Sequence, residues 1–397
     1  MTKQIQDAYI VAATRTPVGK APRGRLRNVR PDDLLAHALR SALAQVPSLD
    51  SKAVEDVVVG CAMPEGEQGF NFARIGLLLA GLPNTVGGVT INRFCSSGLN
   101  AVAIAADRIR VGEADVMIGA GAESMSMVPM TGFHPSFNER IYTDENYGIA
   151  YGMGMTAERV ATQWKVSREA QDEFSYTSHQ RALAAQQAGE FSEITPLPIE
   201  EKLPNLATGQ VDVRAAKFAT DEGPRADTTV EALGKLRPVF AARGSVTAGN
   251  SSQTSDGAGA VVLMSEKALK QFGVTPLARY VTFAVAGVPP EIMGIGPKFA
   301  IPKALANAGL KQDQLDWIEL NEAFAAQALA VIGDLGLDRA RVNPLGGAIA
   351  LGHPLGATGA IRVATLVHGL GRRKQKYGMV TMCIGTGMGA AGIIERL

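Results

Sequence analysis

Cys95 stands in the run NRFCSSGL, between the strand-like GGVTI and the helix-like NAVAIAADRIRVG. A thiol at the entrance to a helix meets free backbone N–H groups and the positive end of the helix dipole. Both favour the thiolate, so its pKa is expected to fall and its nucleophilicity at neutral pH to rise. The competing reading is a buried packing cysteine; the polar, backbone-exposing Ser96, Ser97 and Gly98 count against it. His353, in LGHPLGATG, is held between Gly352 and Pro354 outside any helical stripe. It reads as a general base for a thiol proton or as a polariser of a carbonyl oxygen, with nearby glycines allowing a ligand to approach. The alternative is a histidine that satisfies local backbone groups. Cys383 follows an apolar strand and opens a glycine-rich turn in MVTMCIGTGMGAAG, either as a second thiol acting as acid and base or as a strand-end packing residue. Asn321, in ELNEAFAAQ, lies where a strand meets a helix and either caps that helix or orients a water or an oxyanion. Glu322 beside it supplies first-turn charge or orients His353. His37 and His368 fall within helical patterns; His134 and His179 have no comparable setting.

The elements that must position these groups repeat. DAYIVAA, PDDLLAHALRSALAQV, EDVVVGCA, ARIGLLLAGL, GGVTI, GLNAVAIAADRIRVG and ADVMIGAGAES alternate strand and helix signals, the pattern of a largely parallel sheet covered by helices. The last third runs in the same order through LARYVTFAVAG, PKFAIPKALANAGL, LDWIELNEA, AAQALAVIGDLGL, ARVNPLGG, GATGAIRVATLVHGLG and YGMVTMCIGTGMGAAGIIERL. Two copies of one unit are expected, with FCSSGL and GHPLGATG at matching positions before the third helix of each. Both would present N–H groups and a positive helix end to a shared cleft. Residues 124–254 lose the rhythm and gain methionine, proline and charge, which reads as an insertion; GAGAVVLMS then returns the chain to the first sheet.

Bulk properties bound the function. A chain of 397 residues implies two or three domains, and 39 basic against 38 acidic residues, net +1, give no electrostatic footprint for nucleic acid or an anionic membrane. Three scattered cysteines suggest neither a disulfide framework nor a metal clamp, and so a reducing cytoplasm. The N-terminal stretch lacks a leader pattern, no run of about 18 uncharged apolar residues occurs, and the C-terminal IIERL is not a peroxisomal address. The glycines after Cys383 cannot open a βαβ unit and therefore make no dinucleotide fingerprint.

NRFCSSGL, NEAF, GHPLGATGA and CIGTGMG, in this order, resemble the signature set of the thiolases, CoA-dependent acyl- and acetyltransferases that make or cleave a 3-ketoacyl-CoA. The resemblance covers essentially the whole chain. It implies Cys95 as the acylated nucleophile, His353 as its base, and Cys383 as the acid/base that moves a proton to or from the α-carbon. One oxyanion hole would be His353 with a water held by Asn321, the other the backbone N–H groups of Cys95 and Gly385. It implies an α/β fold of duplicated βαβαβαββ halves in five αβαβα layers, with residues 1–123 and 255–276 as the first half, 124–254 as an inserted CoA-binding loop domain and 277–397 as the second half. Ser252 would lie near the pantetheine arm, Phe240 and Met153 along the approach, Arg225 at the nucleotide end, and Ala323, Phe324 and Met293 near the reacting acyl group. CoA would be a substrate with no permanently bound cofactor and no metal, in a homodimer or homotetramer with a possible β-oxidation partner enzyme. Gly152, where acetoacetyl-CoA-forming members often carry histidine, and GNSSQTSDGA in the exit loop resemble the degradative 3-ketoacyl-CoA type. Thr386 replaces a usual glycine and bears on the shape of that turn. The rivals are a short-chain acetyl-CoA acetyltransferase, then a ketoacyl synthase, against which Cys383 argues, or a non-catalytic acyl-CoA or lipid-binding protein.

Overall fold

The computed structural model describes residues 5–397, so the first residues of the N-terminal stretch and of the first expected domain, 1–4, lie outside it. The first half runs β1 (Ala8–Arg15), β2 (Gly19–Lys20), α1 (Pro31–Ala44), β3 (Asp56–Gly60), α2 (Phe72–Leu79), β4 (Gly87–Ile91), α3 (Ser97–Arg110) and β5 (Val116–Ser124). Then come α4 (Met153–Gln163), α5 (Arg168–Gln187), a hairpin of β6 (Leu197–Asn205) and β7 (Gln210–Phe218), and α6 (Val230–Gly234). β8 (Ser255–Met264) and α7 (Glu266–Phe272) rejoin the first half. The second half is β9 (Ala278–Gly287), α8 (Gly296–Ala308), β10 (Trp317–Leu320), α9 (Ala325–Leu335), α10 (Ala348–Leu351), α11 (Leu355–Arg373), β11 (Tyr377–Ile384) and β12 (Met388–Arg396). No helix of the described residues is long and apolar enough to cross a membrane.

Hydrogen bonding joins the strands in the order β10-β11-β12-β9-β1-β8-β5-β3-β4, with β2 added to β8. Within the first half this is third-second-fourth-fifth-first in chain order. The second half repeats it, with its third strand reduced to one parallel bridge, Ile318 to Val342. ARVNPLGG is thus not a strand, since Asn343 turns into the left-handed region at φ 46° and uses its side chain on the backbone of Leu320. Nor is the sheet largely parallel: β3–β4, β3–β5 and β10–β11 are parallel, while the ladders of β1, β8, β9 and β12 are antiparallel. Short returns such as the turn from β11 to β12 permit this where a helical crossover is absent.

Alternation along the strands sorts the core into layers. In β5, Val116, Ile118, Ala120 and Ala122 face α1 and α2, whereas Met117 faces the centre with α3 and α11. On the far side, Met379, Ala391 and Ile393 meet α8 and α9. The central pair α3 and α11 is buried along most of its length and packs against both halves. β1 and β9 touch only at Ala8–Ile10 and Ala278–Tyr280, and beyond that junction the helix pair fills the space between the halves. A buried Arg15 fastens the insertion to this frame, with a two-pronged bond to Asp221 and a third bond to Glu193, which also accepts from Thr365 of α11.

α3 and α11 meet at backbone distance. A Cβ on Gly359 would lie 2.0 Å from the Leu99 nitrogen, and one on Gly98 would lie 2.7 Å from the Gly356 carbonyl oxygen. These motif glycines therefore serve the crossing. Gly359→Ala is expected to force the helices apart and to cost about 3 kcal/mol, the upper range for overpacking a core. Urea denaturation measures this; an unchanged midpoint would show that the crossing can relax.

Candidate active site

The crossing sets the first turns of α3 and α11 side by side, and the candidate groups sit around them. Cys95 lies in a short 3-10 turn, Phe94–Ser96, that leads into α3, and is 7 % exposed. His353 immediately precedes Pro354, which caps α11; its backbone N–H donates to Ser255 Oγ at 3.1 Å. Gly352 adopts φ 91°, and a Cβ there would lie 2.4 Å from the same Oγ, so this glycine serves local packing rather than the approach of a ligand.

Glu123, at the end of β5, locks the arrangement. Its carboxylate accepts from the backbone N–H groups of Ala62, Met63 and Gly356 and from Gln68 Nε2, at 2.7 to 3.2 Å. It thereby ties the loop after β3 to the first turn of α11. Burial pushes its pKa up while these donors pull it back. Glu123 carries no local signal of this role in the sequence, being a lone acid in GAGAES. Cys61 packs beside it, with Gln68 Nε2 at 3.4 Å from its sulfur.

Cys95 and His353 both line a cavity of about 390 Å³, together with Met153, Phe240, Ser252, Met293, Ala323 and Phe324 of the expected residues. Phe240 and Phe324 meet edge to face, with ring centroids 6.1 Å apart. Met125, Met130 and Met155 add three further thioethers that the sequence reading did not single out, although the spacing in MSMVPM and GMGM was visible. Among the described residues, no lysine, arginine, aspartate or glutamate lines this space. Cys383 is fully buried behind it, in a cluster with Met293, Ala323 and Phe324. The backbone N–H of Gly385 pulls the Cys95 thiol pKa downward. Thr386, in the same turn, adopts φ 65°, which a β-branched residue rarely enters, and its hydroxyl donates to the Gly385 carbonyl at 2.6 Å.

Asn321 Nδ2 lies 3.3 Å from His353 Nε2, and its own Oδ1 is buried without a partner among the described residues. The cap of α9 is Phe324, so the amide of Asn321 is free for the site. Glu322 does not reach His353; it accepts from Ser178 Oγ, Asn343 Nδ2 and the Ile349 N–H. The partner of His353 Nδ1 is instead Thr358 Oγ1, at 2.6 Å. Arg225 stands apart, in a second cavity of about 460 Å³ with Lys20, His179 and Asp227, which meets the first at Gln253 and Thr254. His179 Nδ1 accepts from the Arg225 N–H, and burial lowers its pKa to about 4. His37 and His368 reach backbone carbonyls of Thr195 and Ala13.

Burial governs the protonation states. It raises the Cys95 thiol to about 11, although the N–H groups of Gly385 and Cys95 itself pull downward. The depressed thiolate pKa expected from the helix entrance is therefore not found, because desolvation outweighs the N–H groups. Cys383 is pushed well up by burial and by Cys95 nearby. His353 is lowered to about 3 by burial and then by Arg362. At neutral pH the site holds two thiols and a neutral imidazole.

The comparisons agree along the whole chain. The thiolase N-terminal domain matches residues 8–267 and the thiolase C-terminal domain residues 274–396. A 3-ketoacyl-CoA thiolase of Bacillus subtilis is 48% identical over 98% of this chain and all of its own length. A beta-ketoadipyl-CoA thiolase of Acinetobacter baylyi is 46% identical over 99% of this chain and all of its own. The crystal structure of the Bacillus anthracis acetyl-CoA acetyltransferase superposes at TM-score 0.90 with 39% identity, covering both chains in full. That of the dimeric peroxisomal thiolase of Saccharomyces cerevisiae gives 0.88 with 42% identity, over 99% of this chain and 98% of its own. A fold with two matched halves, closed on a pair of cysteines and a histidine, belongs to the acyl-transferring α/β proteins. The chain is a member of the thiolase family.

The lowered pKa of His353 has a consequence for stability. The unfolded chain takes up the proton near the ordinary 6.5, while the folded chain resists it until about 3. The contribution of neutral His353 is thus complete above pH 6.5 and lost as pH falls below it. The stability of the wild type relative to His353→Asn should drop by about 2 kcal/mol between pH 6.5 and 4.5. Urea titrations at the two pH values measure it, and a pH-independent difference would mean that His353 is not held neutral.

Proposed function

We propose that the cavity carries the thiolytic cleavage of 3-ketoacyl-CoA esters with an uncharged acyl chain, through an acyl-enzyme on Cys95. The observation that carries this reading is the burial of two chemically unequal thiols beside a neutral imidazole. Thiolysis needs a nucleophile that forms a thioester and a separate group that protonates a carbon. Cys95, which lines the cavity, suits the first; Cys383, packed with Met293, Ala323 and Phe324 of the cavity wall, suits the second.

In the cleavage direction the Cys95 proton passes to His353 Nε2 as the sulfur attacks the 3-keto carbon. The C2–C3 bond then breaks, and the acetyl-CoA enolate takes the Cys383 proton, leaving the shortened acyl group on Cys95. Cys383 thiolate next accepts the proton of an incoming CoA thiol. The CoA thiolate so formed attacks the acyl carbonyl to make the new thioester, and Cys95 leaves as thiolate and recovers its proton from His353. Charge on the oxygen of each tetrahedral state is met by the N–H groups of Cys95 and Gly385 or by His353 with a water on Asn321. The second cavity, with Lys20 and Arg225, suits the anionic nucleotide end of CoA, and Ser252 at the first cavity suits its pantetheine arm.

The acyl-binding wall suits an apolar acyl chain. Five methionines give it an adaptable surface, and Gly152 opens onto free space where a side chain would stand. An acyl chain ending in carboxylate, such as a β-ketoadipyl group, would lose its hydration there without gaining a cation. The kcat/KM for a straight-chain 3-ketoacyl-CoA should exceed that of its terminally carboxylated analogue by about a hundredfold or more. Equal values would contradict the assigned substrate class.

The division of labour is tested separately. Cys95→Ser should abolish the acyl adduct seen by intact-protein mass spectrometry. Cys383→Ser should still acylate from a short acyl-CoA while losing C–C cleavage by about a thousandfold. Acylation persisting without Cys95, or equal loss of both steps without Cys383, would overturn the assignment.

A further inference from the structure

The reading of His353 as the base leaves open what decides which of its nitrogens carries the proton. The two ring nitrogens have different partners. Nε2 faces Asn321 Nδ2 at 3.3 Å, and with the amide turned this way its nitrogen donates, so Nε2 is the acceptor of that pair until the Cys95 proton displaces this long contact. The ring proton then belongs on Nδ1, which meets Thr358 Oγ1 at 2.6 Å. Both residues are buried, His353 at 4 % and Thr358 at 0 % exposure.

The local fold makes this contact hard to avoid. Thr358 lies in the first turns of α11, five residues beyond His353, and its N–H donates to the Pro354 carbonyl at 3.1 Å. Pro354 turns the chain so that the imidazole folds back over the start of the helix that it precedes. The glycine crossing with α3 fixes that start.

We propose that Thr358 is a positioning residue that holds His353 in the Nδ1–H tautomer and so leaves Nε2 unprotonated for the Cys95 thiol. The inference rests on the proposed role of His353 as base. A hydroxyl suits the task in a way a carboxylate would not. It accepts from Nδ1–H equally in the neutral ring and in the imidazolium formed when Nε2 takes the Cys95 proton, so nothing on the Thr358 side rearranges as that proton arrives and leaves. It also adds no negative charge that would trap the proton on the ring. The cationic Arg362 works in the same direction, disfavouring a charged ring.

The test uses the intact protein labelled with nitrogen-15 in its five histidines, with His353→Gln identifying the signal of interest. The wild type should show His353 protonated at Nδ1 and bare at Nε2; a ring protonated at Nε2 instead overturns the proposal without recourse to any variant. Thr358→Val should blur or reverse that pattern. It should also lower the single-turnover rate of Cys95 acylation by about ten- to a hundredfold, with little change in KM. Thr358→Ser should restore both the signal and the rate. Wild-type acylation in Thr358→Val, or a Thr358→Ser variant as slow as Thr358→Val, refutes the role of Thr358. If His353→Gln itself acylates at the wild-type rate, it is the reading of His353 as base that fails.

Discussion

Everything at this site depends on two helices touching at their first turns. α3 and α11 come from different halves of the chain, and each is led in by a residue with chemical potential, Cys95 in one case and His353 in the other. Ordinary helix packing keeps axes about 8–10 Å apart and would leave those residues on separate walls. Glycine at 98 and 359 removes the side chains that enforce such spacing, and the Glu123 carboxylate closes the joint by accepting from Gly356 and from the loop after β3. Stability and function are coupled here: the contact that completes the central layer is also the contact that assembles the site.

The same burial sets the electrostatics. A helix N-terminus favours a thiolate, yet at Cys95 the loss of water costs more than the N–H groups return, and the resting group is a thiol. The imidazole stays neutral for the same reason. The carboxylates close by, Glu123 and Glu322, spend their lone pairs on N–H, hydroxyl and amide donors. The account therefore has protons moving between neutral groups, with charge appearing only once substrate is bound and N–H groups are aimed to receive it.

Much of this was legible in the chain and some was not. The repeat of strands and helices gave the two halves, because each element carries its own periodicity. Pairing FCSSGL with GHPLGATG through that repeat brought Cys95 and His353 to one place before any distance was known. Three things escaped. Strand direction escaped because periodicity is the same in parallel and antiparallel ladders, so the mixed sheet around β8 and β12 was invisible. The lost third strand at Val342 escaped because its fate turns on one left-handed residue, Asn343. Thr358 and Glu123 escaped because their importance lies in a partner distant in space or set by a bend, Gly356 for one and the folded-back imidazole for the other. The shifted thiol pKa was misjudged from local sequence because burial is a property of the whole fold.

The most direct test of the central claim, that the crossing presents one sulfur to one set of N–H groups, is a crystal structure of the Cys383→Ser variant after reaction with acetyl-CoA. The account predicts an acetyl group on Cys95 Sγ whose carbonyl oxygen accepts from the backbone N–H groups of Cys95 and Gly385. An acyl group on any other residue, or a carbonyl oxygen turned away from both N–H groups, would contradict it.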